Sequence, residues 1–390
     1  MDLHSITFLK TLCMLRTISV MLLFGLFSYT AFTQPSKSAT DYYNEGKKLR
    51  EDEKYTEAFA AFKSAVSKNP SYKEALYEAG WCANELEKFT DAVSFLQKAK
   101  TVDPSNEEVY FELGYAYKHL DKADEAISNF RKALDLDPAY YSATANLGDV
   151  YYDKEDYSNA LYYYEKYLQD SDADNVYYYK AGWCANDLEK YRDAIGYLDK
   201  YVPEESDNKA KKFAEIGYAN YKLKNSDAAI ESYKRALEEK PGYGKALRGL
   251  GDVYDDLKQN SDAVKYYEMA VQNDVVNSKG CYYKLGWLYN DEAKYNDAVN
   301  ILIKAVDYDA QDADSRVELG YAYYKLKNYS DAIGQLQKAA QLDKNSKLAY
   351  YYQGLCYLDN NQKSKATEIY NKLKIVDEDQ AKKLWDKINQ

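Results

Sequence analysis

The stretch "YFELGYAYKHLDKADEAISNFRKALDLDP", from Tyr110 to Pro138, sets small and large residues at fixed distances. Gly114 is followed by Ala126 at twelve residues, Phe130 at sixteen, Ala133 at nineteen and a closing Pro138. Gly and Ala are small where two helices cross closely, and the aromatic one turn later fills the gap on the same face. The spacing predicts a helical hairpin that cannot bury its apolar face alone.

The phrase recurs along the chain. Gly46, Gly80, Gly114, Gly148, Gly182, Gly217, Gly251, Gly286, Gly320 and Gly354 follow one another at 34 or 35 residues, each with an Ala twelve residues on and Phe, Tyr or Leu sixteen on. Polar turns such as "EKFTD" (87–91), "EDYSN" (155–159) and "AKYND" (293–297) separate the two halves of each unit. Pro or Asp ends it. A fixed period of this length marks an array of stacked supersecondary units.

This pattern resembles the tetratricopeptide repeat (TPR) family, whose signature is an aromatic, Leu-Gly, Tyr, Ala, Phe, Ala and Pro. The third unit carries it in full as Tyr110, Leu113, Gly114, Tyr117, Ala126, Phe130, Ala133 and Pro138. Units four, five and seven to ten lack the closing Pro, and Tyr167 and Tyr201 stand in for the last Ala. The resemblance implies an all-α fold, a right-handed superhelical α-solenoid of about ten hairpins over 39–376. The tail 377–390, with Leu384 and Ile388 at helical spacing, reads as the capping helix that such arrays need. The family also implies a non-catalytic interaction module with no cofactor, whose first helices line a concave groove with their positions two, five, nine and twelve.

A second period lies over the first. "AGWCANELEKF" (79–89) returns as "AGWCANDLEKY" (181–191) and more loosely as "LGWLYNDEAKY" (285–295), so every third unit resembles another. Numbered from seven residues before each Gly, Tyr77, Tyr179 and Tyr283 take position five, and Trp81, Trp183 and Trp287 take position nine. Asn84, Asn186 and Asn290 take position twelve, one turn along the same face. The following units present Tyr115, Tyr218 or Tyr321 with Lys118, Tyr221 or Tyr324, and the third unit of the triplet presents Asp149 or Asp252. The expected groove therefore runs aromatic with amide, aromatic with base, then acid. Its Trp and Tyr rings would anchor extended or helical protein segments, and its Asn side chains would hold main-chain amides. Glycan or cell-wall polymer is the alternative ligand, with rings stacking on sugars and Asn or Asp taking hydroxyls.

Composition closes other routes. A net charge of −11 with no basic run repels phosphate backbones, which argues against nucleic acid. Residues 1–33 have Lys10 and Arg16 ahead of the apolar run "ISVMLLFGLFSYTAF" (18–32), the form of an export signal cleaved near Thr33–Gln34. An uncleaved membrane anchor is the other reading, and under either one 34–38 read as a linker. The expected location is the periplasm or cell envelope, or outside the cell. Past the leader, Cys82, Cys184, Cys281 and Cys356 form no CxxC and no zinc spacing, so they read as small core residues. No phosphate-loop, nucleophile-elbow or metalloprotease motif occurs, and His119 stands alone on its helix. "DSDADN" (170–175) starts like a calcium loop but has Ala181 where a bidentate Glu belongs, leaving Asp172 and Asp174 for turn and cap roles. The carboxylate clamp of chaperone-tail binders is also missing, since Tyr43, Lys47, Tyr77 and Trp81 occupy its places.

Overall fold

The computed structural model describes residues 37–273 and 280–390, which hold twenty-one α-helices and no strand. The expected export leader therefore lies outside the described residues. The chain forms two compact units, one ending at Val150 and one beginning at Tyr151. In the first, α1 (Ala39–Glu51) pairs with α2 (Tyr55–Lys68), α3 (Lys73–Glu85) with α4 (Phe89–Val102), and α5 (Glu107–His119) with α6 (Ala123–Leu136). The division falls within α7 (Tyr141–Asp153).

The second unit continues with α8 (Tyr157–Tyr167), then pairs α9 (Val176–Asp187) with α10 (Tyr191–Lys200) and α11 (Ser206–Lys222) with α12 (Ser226–Glu239). Next come α13 (Gly244–Asp256) with α14 (Asn260–Asn273), and α15 (Cys281–Asp291) with α16 (Tyr295–Tyr308). The last pairs are α17 (Ala313–Lys325) with α18 (Tyr329–Leu342) and α19 (Lys347–Asp359) with α20 (Lys363–Val376), closed by α21 (Glu378–Ile388).

The repeated Gly has a steric cause. A Cβ on Gly46 would lie 2.6 Å from the Phe62 ring, and one on Gly114 would lie 2.6 Å from Phe130. The ring sixteen residues downstream occupies the space a side chain would need, with Phe62, Phe130 and Tyr267 all fully buried. At the end of the chain this partner changes. Leu384 of α21 covers Gly354, and Ala381, Leu384 and Ile388 are buried together while the polar face of α21 is exposed.

The turns are equally regular. One residue per hairpin sits in the left-handed region, from Glu53 (φ 58°) and Glu87 (φ 56°) through Ala293 (φ 58°) to Asn361 (φ 56°). The next amide then donates back across the helix end, as Lys54 N does to the Leu49 carbonyl at 2.8 Å. Several hairpins end on an Asp or Asn whose side chain accepts from the amide two residues on, both with a following Pro, as Asp137 Oδ1 does from Ala139 N at 2.9 Å, and without one. Asp309 Oδ1 accepts from Gln311 N at 2.8 Å, and Asp343 Oδ1 accepts from Asn345 N at 2.9 Å. Since L-residues pay for a left-handed φ, Ala293→Gly should stabilise the second unit by about 0.5–1 kcal/mol. A rise in thermal midpoint would show this; a fall would mean that chain entropy outweighs the relieved strain.

Candidate functional site

The first helix of each hairpin carries the residues expected to recognise a partner, and their polar members are already engaged. Asn84 is 3% exposed, Asn186 4% and Asn290 5%. Each donates Nδ2 to the next first helix. Asn84 reaches the Glu112 carbonyl at 3.1 Å and Glu112 Oε2 at 2.6 Å. Asn186 reaches the Glu215 carbonyl at 3.2 Å, and Asn290 reaches the Glu318 carbonyl at 3.0 Å. Asn84, Asn186 and Asn290 therefore do not face an open groove. Position twelve lies where one first helix meets the next, so its side chain clips two hairpins together.

Other junctions use different chemistry at the same place. Arg50 Nη1 donates to Glu78 Oε2 at 2.6 Å, and Lys118 Nζ bonds both Asn146 and Asp149 at 3.2 Å. The expected base and acid of the groove, Lys118 and Asp149, are thus partners of each other. Asp252 accepts from Tyr267 Oη and Lys284 Nζ, both at 2.7 Å. Tyr221 Oη donates to Asp256 at 3.0 Å and Tyr324 Oη to Asp359 at 2.9 Å. Together these side chains form a ladder of polar rungs linking consecutive hairpins.

Four of the rungs end on a buried or half-buried glutamate. Glu78 has the Arg50 guanidinium, and Glu215 has Lys245 at 2.5 Å as well as Asn186. Among the described residues, Glu112 and Glu318 have only the amides of Asn84 and Asn290. Burial pushes the Glu112 carboxyl up to about 7 against the pull of the Asn84 hydrogen bond, and it raises Glu318 for the same reason. The Asn Oδ1 atoms of all three amide rungs are buried without a partner among the described residues. Asn84→Ala should therefore cost about 1–3 kcal/mol of stability, because it strips a buried carbonyl and carboxylate of their donor. Unchanged urea unfolding would place Asn84 outside the framework.

The rings at position nine remain half open. Each leans edge-on against an aromatic from the preceding turn: Trp81 on Tyr55 at 5.6 Å, Tyr115 on Phe89 at 6.3 Å, Trp183 on Tyr157 at 5.0 Å, Tyr218 on Tyr191 at 6.1 Å and Tyr321 on Tyr295 at 6.2 Å. Trp81 also lies under the Arg50 guanidinium at 5.5 Å, and Trp183 touches Tyr152 at 5.2 Å. Trp287 differs, because Asn260 occupies the place of that turn aromatic. Its ring is 40% exposed.

At position five, Tyr77, Tyr179 and Tyr283 are partly buried. Desolvation raises all three hydroxyls, Tyr283 to about 12. Tyr77 and Tyr43 line a cavity of about 280 Å³ in the first unit, and Tyr283 lines one of about 520 Å³ in the second. His119 stacks on Phe89 at 4.6 Å, and burial with the neighbouring Lys118 charge lowers its pKa. In the Asp-rich turn, Asp174 Oδ1 accepts from Val176 N at 2.9 Å, while Asp170 rather than Asp172 takes the other turn bond, from Asp172 N at 3.2 Å. Cys82, Cys184, Cys281 and Cys356 are free and buried, and desolvation pushes each thiol up to about 12.

Family profiles described as tetratricopeptide repeat match residues 43–107, 107–140, 215–274, 283–347 and 348–374. No curated protein matches the chain significantly. Among solved structures, YrrB, described as a TPR protein with an unusual peptide-binding site, is 21% identical with a TM-score of 0.45, over 48% of this chain and 96% of its own. MamA from Desulfovibrio magneticus RS-1 is 20% identical with a TM-score of 0.40, over 44% of this chain and 97% of its own. The TPR domain of P58(IPK) is 18% identical with a TM-score of 0.28, over 83% of this chain and 99% of its own. Profile matches across well over half of its length, on a repeated hairpin that sets a Gly against a ring or a Leu, place this chain in the tetratricopeptide repeat family.

Proposed function

We propose that the chain is a non-catalytic protein–protein interaction scaffold of the bacterial cell envelope, which holds partner segments along the first-helix face of its hairpins. The observation that carries this reading is the row of half-open rings at position nine, with Trp287 the most exposed of the three tryptophans there. Large amphipathic rings held rigidly at a surface lose little entropy when covered, and they dominate binding energy where they occur. Family membership supports the same reading. The glycan alternative loses its main hydrogen-bonding groups, because Asn84, Asn186 and Asn290 are spent within the framework. The recognition surface is aromatic, with polar rungs behind it.

Affinity capture from native envelope, read by mass spectrometry, tests the proposal. Trp287→Ala should lower partner recovery without changing the melting profile, since the ring is open and lacks the turn aromatic that braces its counterparts. Equal recovery by wild type and variant would remove this face from binding. The envelope location rests on the leader-like residues 1–33, and N-terminal sequencing of the mature chain should begin near Gln34. An intact leader on the protein recovered from cells would favour the membrane-anchor reading.

A further inference from the structure

The cavities at Tyr43–Tyr77 and at Tyr283 occupy the same place in the repeat. The first lies among α1, α3 and the start of α5, and the second among α15, α17 and the start of α19. Tyr43 corresponds to Tyr283, Glu74 to Asp314, Glu78 to Glu318 and Asp103 to Asp343. Two of their differences bear on what each can hold. In the first, the buried carboxylate of Glu78 has the Arg50 guanidinium at 2.6 Å, whereas Glu318 has no cationic partner among the described residues. The first also has Glu108 at its mouth, where the second has Leu348, joined there by Ile375 and Val376. Ile375 is 88% exposed and Leu348 39%.

The second cavity thus joins an apolar lip to a carboxylate that lacks the cation held by Glu78 and Glu215. Asp314 and Asp343 add negative charge, and the one ammonium present, Lys347, is taken by Asp377 at 3.3 Å. An exposed Ile beside a Leu costs free energy in water that a covering apolar group recovers. A carboxylate sheltered from water gains most from a cation that reaches it directly. We propose that this cavity is a docking site for a peptide segment that places a Lys or Arg side chain against Glu318 and Asp314 and an apolar side chain against Leu348 and Ile375. The proposal rests on the scaffold reading above and names the chemistry of one of its partners. Its occupant is cationic and apolar, so an acidic segment or an anionic lipid surface is excluded by charge.

The test uses the full chain and a short fluorescein-labelled peptide of repeating Leu-Lys-Gly, read by anisotropy. Wild type should bind it saturably and more weakly as salt rises. Replacing every Lys of the peptide by Glu, or every Leu by Ser, should weaken binding by about tenfold or more. Asp314→Asn and Ile375→Ser should each do the same without disturbing the Asn290 bond to Glu318, while Glu108→Gln in the first unit should leave affinity unchanged. Absence of saturable binding by wild type, equal affinity of the Glu-containing peptide, or insensitivity to both second-unit variants would overturn the docking site. If Ile375→Ser and wild type then still recover the same envelope partners, only this site fails and the scaffold reading stands.

Discussion

Phe130→Ala should cost the first unit about 3–5 kcal/mol, the price of a void where the ring now fills the space opposite Gly114. Phe130 is fully buried and touches Phe111 at 5.8 Å between ring centroids, so both hairpin helices lose contact at once. In an array of near-neighbour interfaces the damage should stay local. Amide exchange across residues 107–136 should accelerate strongly, while α17 to α21 keep wild-type protection. A loss below about 1 kcal/mol would mean that neighbouring side chains refill the void. Evenly raised exchange throughout the chain would contradict near-neighbour stability.

Raising the pH should destabilise the first unit, and Glu112→Gln should remove most of that dependence. The Glu112 carboxyl has an ordinary value of 4.5 and is pushed to about 7 by burial, with Glu85 and Glu108 adding like charge. A carboxyl whose pKa is raised on folding binds its proton more tightly when folded. Its contribution is fully present below about 4.5 and is lost as pH rises through about 7. The difference corresponds to about 3 kcal/mol between the ends of that window. Denaturant unfolding at pH 5 and pH 8 checks this, with the variant expected to be more stable than wild type at pH 8. A variant as pH-sensitive as wild type would show that Glu112 stays ionised throughout, held by Asn84.

The hairpins are legible in the sequence because the packing is a size rule. Gly46 must be small for the same reason that Phe62 must be large, and such a pair leaves a fixed spacing behind it. The polar face is legible only in part. Asn84, one turn beyond Trp81, shares its side of the helix, and helical periodicity alone cannot separate a groove from the edge of a neighbouring helix. A separate clue was present. Glu112, Glu215 and Glu318 each stand 28 or 29 residues after Asn84, Asn186 and Asn290, so the amide and its acceptor return together in every triplet. Pairing across repeats, rather than position within one, identifies the rung. The exposure of Trp287 is readable in the same way, from Asn260 standing where Tyr55 and Tyr157 stand earlier.

The four buried thiols turn the chain into its own set of clocks. With pKa near 12, none of Cys82, Cys184, Cys281 and Cys356 reacts while its surroundings hold, since the thiolate is the reactive form. A maleimide can modify each one only when its own hairpin opens, and the four lie on α3, α9, α15 and α19. The order in which mass spectrometry finds them labelled in the unmodified protein therefore reads out which hairpin frays first, with no engineered probe in the chain.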